Sequence, residues 1–111
     1  MNEKQKENAK KTLDLLTKLA SILNKEDTRE IDYVMREITY AIKILDESIN
    51  VKELNLNETI SEVREIYKKL FPSHGGLTDF FIWRKNFEER KKANKEFNKI
   101  KNEIWKELNL G

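Results

Sequence analysis

The sequence predicts an all-α protein, an antiparallel four-helix bundle with a short aromatic strap before its long last helix. Apolar residues recur every three or four positions along most of the chain, which is the period of an α-helix buried on one face. Apolar and charged residues each make up 38% of the composition, enough for a thin core beneath a highly charged surface. The 111 residues suffice for one hydrophobic core, so a single domain over residues 1–111 is expected.

The first two helices are predicted at about residues 3–24 and 28–49. A capping box of Asp27 and Glu30 would begin the second helix. The apolar positions of the first helix are Ala9, Leu13, Leu16, Ala20 and Leu23, and those of the second are Ile31, Met35, Ile38, Ile42, Leu45 and Ile49. Tyr33 and Tyr40 flank the second set, where their rings would cover the edge of the core.

A third, shorter helix is predicted at about residues 58–71. It follows a polar connection with the apolar residues Val51, Leu54 and Leu56, and its own apolar positions are Ile60, Val63, Ile66, Tyr67 and Leu70. Asn57 or Thr59 would cap its start. Pro72, the only proline, would end it because proline lacks the amide donor and disfavours helix in the residue before it.

Residues 72–86 are predicted to form an irregular or short element. Gly75 and Gly76 allow a tight turn, after which the strap, Leu77 to Trp83, contains four large apolar residues in succession. One helical stripe cannot bury all four, so the strap is either strand-like or a one-turn helix that lies across the bundle.

Two roles for the strap aromatics stay open. In the first, Phe80 and Trp83 close the end of the bundle while Phe81 and Ile82 pack on the first or second helix. In the second, the strap is an interaction surface, because protein interfaces favour the mixture of Trp, Phe and Arg found here.

The last helix is predicted at about residues 87–109, with Asn86 and Glu89 as its capping box. Its apolar positions are Ala93, Phe97, Ile100, Ile104 and Leu108, and the opposite face carries Lys91, Lys92, Lys95, Lys99 and Lys106. This basic face could follow a phosphate backbone. The interleaved glutamates and the net charge of only +2 favour a solvated face instead.

The residue inventory gives little support for catalysis, metal binding or a cofactor. The absence of cysteine excludes disulfides, thiolate metal sites and a cysteine nucleophile. His74 is the only histidine, so the Glu-x-x-His pairs of dinuclear carboxylate sites are missing, and a nucleophilic site would need His74, Asp79 and Ser73 or Ser61 to converge. Gly75 and Gly76 belong to no phosphate-loop pattern.

Two further hypotheses of enzymatic activity have little support in the sequence. Asp32, Glu37 and Glu65 could pair as catalytic acids, but nothing distinguishes them from the acids that solvate helices. A small bundle enzyme would require a closed pocket near His74. We therefore expect a protein without enzymatic activity, metal or cofactor.

The sequence predicts neither a signal peptide nor a membrane-spanning helix. The first eleven residues are polar, unlike a signal peptide, and the longest apolar run, Phe80 to Trp83, is far shorter than the roughly 20 residues of a spanning helix. We expect no transmembrane segment and a cytoplasmic location.

The segment FPSHGGLTDFFIWRKNFEERKKANKEFNKIKNEIW, together with the helical pattern, the absence of cysteine and the abundance of lysine, resembles the small helical immunity proteins of Gram-positive bacteria. The resemblance covers the whole chain and rests on architecture. It implies a bacterial cytosolic protein, part of a toxin and antitoxin or bacteriocin system, that protects its producer. Such a protein binds a cognate toxin, or the toxin's receptor, through the last helix and the segment before it.

The leading functional hypothesis is therefore a protein-binding module of immunity or inhibitor type. Its expected partner-binding residues are Phe81, Trp83, Arg84, Arg90, Lys91, Lys95 and Lys99. The alternative is a nucleic-acid-associated protein that uses Lys91, Lys95 and Lys99. Formation of a homodimer through an exposed aromatic patch is left open.

Overall fold

The computed structural model describes residues 3–51 and 55–111. Five α-helices pack together: α1 (Glu3–Leu23), α2 (Asp32–Asn50), α3 (Leu56–Lys69), α4 (Gly76–Asp79) and α5 (Phe87–Glu107), with a 3₁₀ turn, Arg29–Ile31, before α2. No strand occurs in these residues, so the all-helical prediction is confirmed. A fifth helix is present because the strap begins with the single turn of α4. Leu54, predicted in the connection before α3, lies outside the described residues.

The two helices at the centre of the packing are α1 and α2. Helix α1 contacts α2 and α5, and α2 also contacts α3. The start of α1 lies beside the end of α5, where the Lys11 ammonium is 3.5 Å from the Glu107 carboxylate. The molecule is elongated, with extents of 48 × 24 × 23 Å.

The buried faces of α1 and α2 are wider than the predicted stripes. Leu15 and Leu19 of α1 are buried although neither was among its predicted apolar positions. In α2, Val34 and Ala41 are buried, whereas Met35 and Ile42 are half-buried. Both helices have neighbours on two sides, so each buries two adjoining rows of side chains rather than one.

Two predicted helix starts are wrong. Asp27 accepts a hydrogen bond from the amide of Arg29 at 3.2 Å, not from Glu30, and α2 begins only at Asp32 after the 3₁₀ turn. The cap of α3 is Asn55, whose side chain accepts from the Glu58 amide at 3.2 Å. Helix α3 therefore starts earlier than the spacing of its apolar residues indicated.

The predicted cap of α5 and the predicted ends of α3 and α5 agree better with the structure. Asn86 accepts from the Glu89 amide at 3.0 Å, which confirms it as the cap of α5. Helices α3 and α5 each end two residues before the predicted position, at Lys69 and Glu107, and Pro72 follows α3.

Gly76 is required where the chain turns from α3 into α4. Its φ is +54°, and a Cβ at this position would lie 2.6 Å from the Leu70 carbonyl oxygen and 2.5 Å from the Tyr33 hydroxyl. The close approach allows the Leu77 amide to donate to the Leu70 carbonyl at 2.9 Å. Any side chain at residue 76 would push the strap away from α3.

Helices α3 and α5 meet through an aromatic seam, which comprises Tyr67, Phe71 and Trp105. The ring centroids of Phe71 lie 5.1 Å from Tyr67 and 5.4 Å from Trp105, both in edge-to-face geometry. The Tyr67 hydroxyl donates to the Lys101 carbonyl at 2.8 Å. Burial raises the pKa of Tyr67, so this hydroxyl stays protonated as a donor.

Candidate functional site

The strap combines the two conformations that the sequence left open. It starts as the one-turn helix α4 and continues in extended backbone from Phe80. Side chains then alternate as in a strand: Ile82 is buried, whereas Phe81 and Trp83 are 59% and 62% exposed. Phe80 is half-buried, with its ring centroid 6.1 Å from that of Phe97.

The alternation shows which of the strap residues pack against the helices and which face solvent. Phe80 and Ile82 pack towards the core, as the first role predicted. Phe81 and Trp83, which that role placed against the helices and in the bundle end, point outward instead. In extended backbone consecutive side chains face opposite sides, so Phe81 and Trp83 point away from the face that buries Ile82.

Asn94 of α5 holds the extended part of the strap. Its side-chain carbonyl accepts from the Ile82 amide at 2.8 Å, and its Nδ2 donates to the Ile82 carbonyl at 2.8 Å. The same Nδ2 donates to the Arg90 carbonyl, also at 2.8 Å. The amide side chain thus supplies the hydrogen bonds that a neighbouring strand would give, and it satisfies the backbone of a buried residue.

Sequence reasoning did not identify Asn94. The sequence offered one indication: Asn94 lies three residues before Phe97, on the flank of the apolar face of α5. A polar side chain at such a half-buried position needs a hydrogen-bonding partner.

A salt bridge ties the far end of the strap to the loop after α1. Both terminal nitrogens of Arg84 lie 2.7 Å from the carboxylate oxygens of Glu26, and the Glu26 side chain is only 9% exposed. The hydrogen bonds from Arg84, with its positive charge, lower the pKa of Glu26. Arg84 also donates to the Trp83 carbonyl at 2.7 Å. Its guanidinium is therefore used inside the chain, where it positions Trp83.

Three exposed aromatic side chains and the half-buried Arg90 form a group that we call the aromatic surface: Phe81, Trp83, Phe87 and Arg90. The guanidinium of Arg90 lies 4.5 Å from the Trp83 ring centroid and 5.5 Å from that of Phe87. Phe87 is 61% exposed and was not predicted, because it precedes the apolar pattern of α5. The structure thus joins Trp83 and Arg90, two of the predicted partner-binding residues, through direct contact.

A groove of about 570 Å³ adjoins the aromatic surface. Its lining includes the aromatic residues Phe80, Phe81 and Trp83 and the acidic residues Glu30 and Asp79. Asp27 and Arg29 also border it and are paired with each other, the Arg29 Nη2 lying 2.7 Å from the Asp27 carboxylate. The groove therefore combines aromatic rings with acidic side chains.

The lysines predicted to contact a partner are all exposed on α5. Lys99 lies 4.0 Å from the Glu103 carboxylate. Among residues 3–51 and 55–111, no carboxylate lies within 4.0 Å of the ammonium of Lys91 or Lys95. Lys91 directly follows Arg90 along the helix, Lys95 lies one turn after Lys91, and Lys99 lies one turn farther along α5.

The other residues considered for chemistry do not converge. His74 and Ser73 are exposed, and the Asp79 carboxylate accepts from the Gly75 amide at 2.5 Å. Glu37 and Glu65 do border one groove of about 390 Å³ between α2 and α3, together with Tyr33 and Glu62, but Asp32 is not among its lining residues.

In the described part of the chain, no group of three or more histidines and acids is arranged to hold a metal ion. No helix within that part has the length and apolar character needed to cross a bilayer.

Comparison with known proteins identifies no relative of this chain. The chain matches no known family model, no curated protein and no solved structure at a significant level.

Proposed function

We propose that this protein is a non-enzymatic, cytosolic protein-binding module of immunity or inhibitor type, which neutralises a toxin or another protein target through its aromatic surface. In this proposal α1, α2, α3 and α5 form an antiparallel four-helix bundle, and the strap crosses one end. The bundle serves as a rigid support. The immunity assignment follows the sequence resemblance, which also places the binding residues in the C-terminal part of the chain.

The observation that carries the proposal is the exposure of three large aromatic side chains on a well-held backbone. Phe81, Trp83 and Phe87 each leave about three-fifths of their surface exposed. Asn94 holds the backbone of Ile82 through hydrogen bonds, and Glu26 holds the Arg84 side chain, which donates to the Trp83 carbonyl. Aromatic side chains fixed in advance bind with little loss of conformational entropy, and Trp and Arg dominate the energetics of protein interfaces.

Each residue of the site has a distinct role in this proposal. Phe81, Trp83 and Phe87 would become buried in the partner, and Arg90 would donate hydrogen bonds while it stacks on Trp83. Arg84 positions Trp83 and is not itself an anchor. Lys91, Lys95 and Lys99 would lie at the rim, where charges affect the association rate more than the affinity.

The proposal can be tested by purifying the tagged protein from the organism that encodes it, with and without nuclease, followed by mass spectrometry. We expect one stoichiometric, nuclease-resistant protein partner. The double variant Phe81→Ala/Trp83→Ala should lose it, while the control Tyr33→Ala/Tyr40→Ala, which removes two exposed aromatics elsewhere, should keep it. Equal retention by both variants would exclude the aromatic surface as the binding site.

The second candidate function is association with nucleic acid through Lys91, Lys95 and Lys99. It is supported by the exposure of Lys91 and Lys95 on α5, with no carboxylate within 4.0 Å of either ammonium in the described structure. This function predicts binding to DNA or RNA that weakens steeply with salt. The double variant Lys95→Glu/Lys99→Glu would abolish such binding, whereas it should weaken capture of a protein partner without abolishing it, because the apolar contacts of the aromatic rings remain.

A further inference from the structure

We propose that the partner of the aromatic surface is an acidic protein surface, with apolar side chains at its centre and carboxylates on the side that faces α5. This inference rests on the proposed function and specifies the chemistry of the partner. It is drawn from the distribution of charge around the aromatic rings.

The charge of the chain is concentrated at the aromatic surface. Residues 81–95 contain six basic residues, Arg84, Lys85, Arg90, Lys91, Lys92 and Lys95, and two acidic ones, Glu88 and Glu89. This segment therefore carries a net charge of +4, whereas the whole chain carries +2 and the remainder −2. The exposed aromatic rings lie in a basic segment of an otherwise slightly acidic protein.

Most of these positive charges have no carboxylate close by among residues 3–51 and 55–111. Of the six basic residues, only Arg84 lies within 4.0 Å of a carboxylate in the described structure. Like charges held close together repel one another, and an acidic partner would relieve this repulsion while it steers the encounter. Apolar contact with the rings would supply most of the affinity.

The geometry favours separate carboxylates on a protein over the continuous phosphates of a nucleic acid. Base stacking needs accessible ring faces, and the Arg90 guanidinium already covers one face of Trp83. Glu88 and Glu89 lie in the first turn of α5 directly after Phe87, where they would repel a phosphate chain. A protein partner can place its carboxylates near Lys91 and Lys95 and avoid these glutamates.

The groove beside Phe81 and Trp83 sets the orientation of the partner. Its volume of about 570 Å³ admits an apolar side chain between the aromatic rings and the loop before α2. Its lining also includes Glu30 and Asp79, which would repel acidic residues, whereas α5 carries the lysines. The carboxylates of the partner must therefore lie on the α5 side, and its apolar residues over the groove.

The inference can be tested by nuclear magnetic resonance titration of the ¹⁵N-labelled protein with three probes. Two are synthetic amphipathic helices with identical leucines, one with glutamates and one with lysines at the polar positions. The third is a single-stranded oligothymidylate. We expect the acidic helix to shift the amide signals of residues 81–95 and to bind about tenfold more tightly than the basic helix, a preference that about 0.5 M salt largely removes.

Matched variants separate charge from apolar contact. Lys91→Glu/Lys95→Glu should abolish the preference for the acidic helix, while Lys4→Glu/Lys10→Glu, the same change at exposed positions of α1, should preserve it. Phe81→Ala/Trp83→Ala should weaken the binding of both helices.

Three outcomes would overturn the inference, and they differ in what they leave standing. Equal binding of both helices at the aromatic surface would refute an acidic partner but preserve the proposed protein-binding function. Tighter binding of the oligothymidylate at this surface would replace a protein partner with nucleic acid. If neither helix shifts residues 81–95, or if those signals shift with protein concentration alone because a second copy covers the surface, both the acidic partner and the proposed function in its present form fail.

Discussion

The two tryptophans show how the same type of residue serves different purposes in two regions of this molecule. Trp105 packs against Phe71 at 5.4 Å and Tyr67 at 6.1 Å in the aromatic seam. Trp83 is 62% exposed, and its described ring contact is with the Arg90 guanidinium. The seam joins two helices, whereas the aromatic surface faces solvent.

The two regions also differ in what keeps them ordered. The seam is held by apolar burial, with one internal hydrogen bond from Tyr67 to the Lys101 carbonyl. The strap is held by polar contacts beneath its exposed rings, from Asn94 to Ile82 and from Arg84 to Glu26. Order in the strap therefore does not depend on burying Phe81 and Trp83, which leaves these side chains available to a partner.

The largest effect on stability is expected in the seam. Replacing Tyr67 by Ala removes a buried ring and should lower the free energy of unfolding by about 3–5 kcal/mol, measured by urea denaturation. Tyr40→Ala is the matched control, because Tyr40 is 46% exposed, and it should cost less than about 1 kcal/mol. A loss of less than about 1 kcal/mol for Tyr67→Ala, no larger than that of the control, would show that the seam does not stabilise the fold.

Removal of the Asn94 side chain should have the next largest effect. Asn94→Ala leaves the amide and carbonyl of buried Ile82 without these partners, which should cost about 2 kcal/mol in thermal or urea unfolding. Hydrogen exchange of the Ile82 amide should also become faster. Asn98→Ala, an exposed position on the same helix, should change neither quantity; unchanged exchange at Ile82 in Asn94→Ala would mean that the strap is held by other contacts.

The salt bridge of Glu26 should make a smaller, pH-dependent contribution. Because Arg84 is partly exposed, we expect Glu26→Gln to lower the free energy of unfolding by only about 1–2 kcal/mol at neutral pH. The folded pKa of Glu26 lies below its ordinary value of 4.5, so the ionised carboxylate stabilises the protein above that value and the contribution is lost as the pH falls through the folded pKa.

The corresponding measurement is urea denaturation of the protein and the variant between neutral and acidic pH. The difference between them should shrink below pH 4.5, the ordinary pKa of glutamate. Glu30→Gln, an exposed neighbour, provides the control for general charge effects. A difference that stays constant with pH would exclude the ionised pair as its source.

The smallest effect on stability is expected at the aromatic surface. Trp83→Ala should change the free energy of unfolding by less than about 0.5 kcal/mol, whereas Trp105→Ala should cost more than about 1 kcal/mol, both followed by circular dichroism. Equal costs would place Trp83 in the core and remove the basis for a binding surface.

The periodic residues carried most of the information about the fold. Ile38, Leu45, Phe97 and Ile104 were assigned to buried faces from their spacing and are buried. Spacing places residues on a face but does not show how many neighbours the face has, which is why the burial of Leu15, Leu19 and Val34 was missed. Caps depend on the local backbone, so Asp27 was assigned wrongly and Asn55 overlooked.

The candidate site was only partly predictable. Residues 77–90 contain more aromatic surface than one helical stripe can bury, and this composition suggested Phe81, Trp83 and Arg90 as partner-binding residues. The roles of Asn94, Glu26 and Phe87 depend on which segments meet in space, and Glu26 and Arg84 are separated by 58 residues. No local pattern distinguishes such pairs from ordinary surface residues.

The sequence by itself determined that the protein is helical, which faces of its helices are apolar and where the regular pattern breaks, because these properties follow from local spacing and from proline and glycine. Only the tertiary structure decided which aromatic residues are covered. That outcome depends on the approach of other segments. Tyr67 of α3 and Phe71, which follows this helix, pack onto Trp105. The hydrogen bonds of Asn94 with Ile82 and of Arg84 with Glu26 hold the chain on either side of Trp83 and leave its side chain exposed.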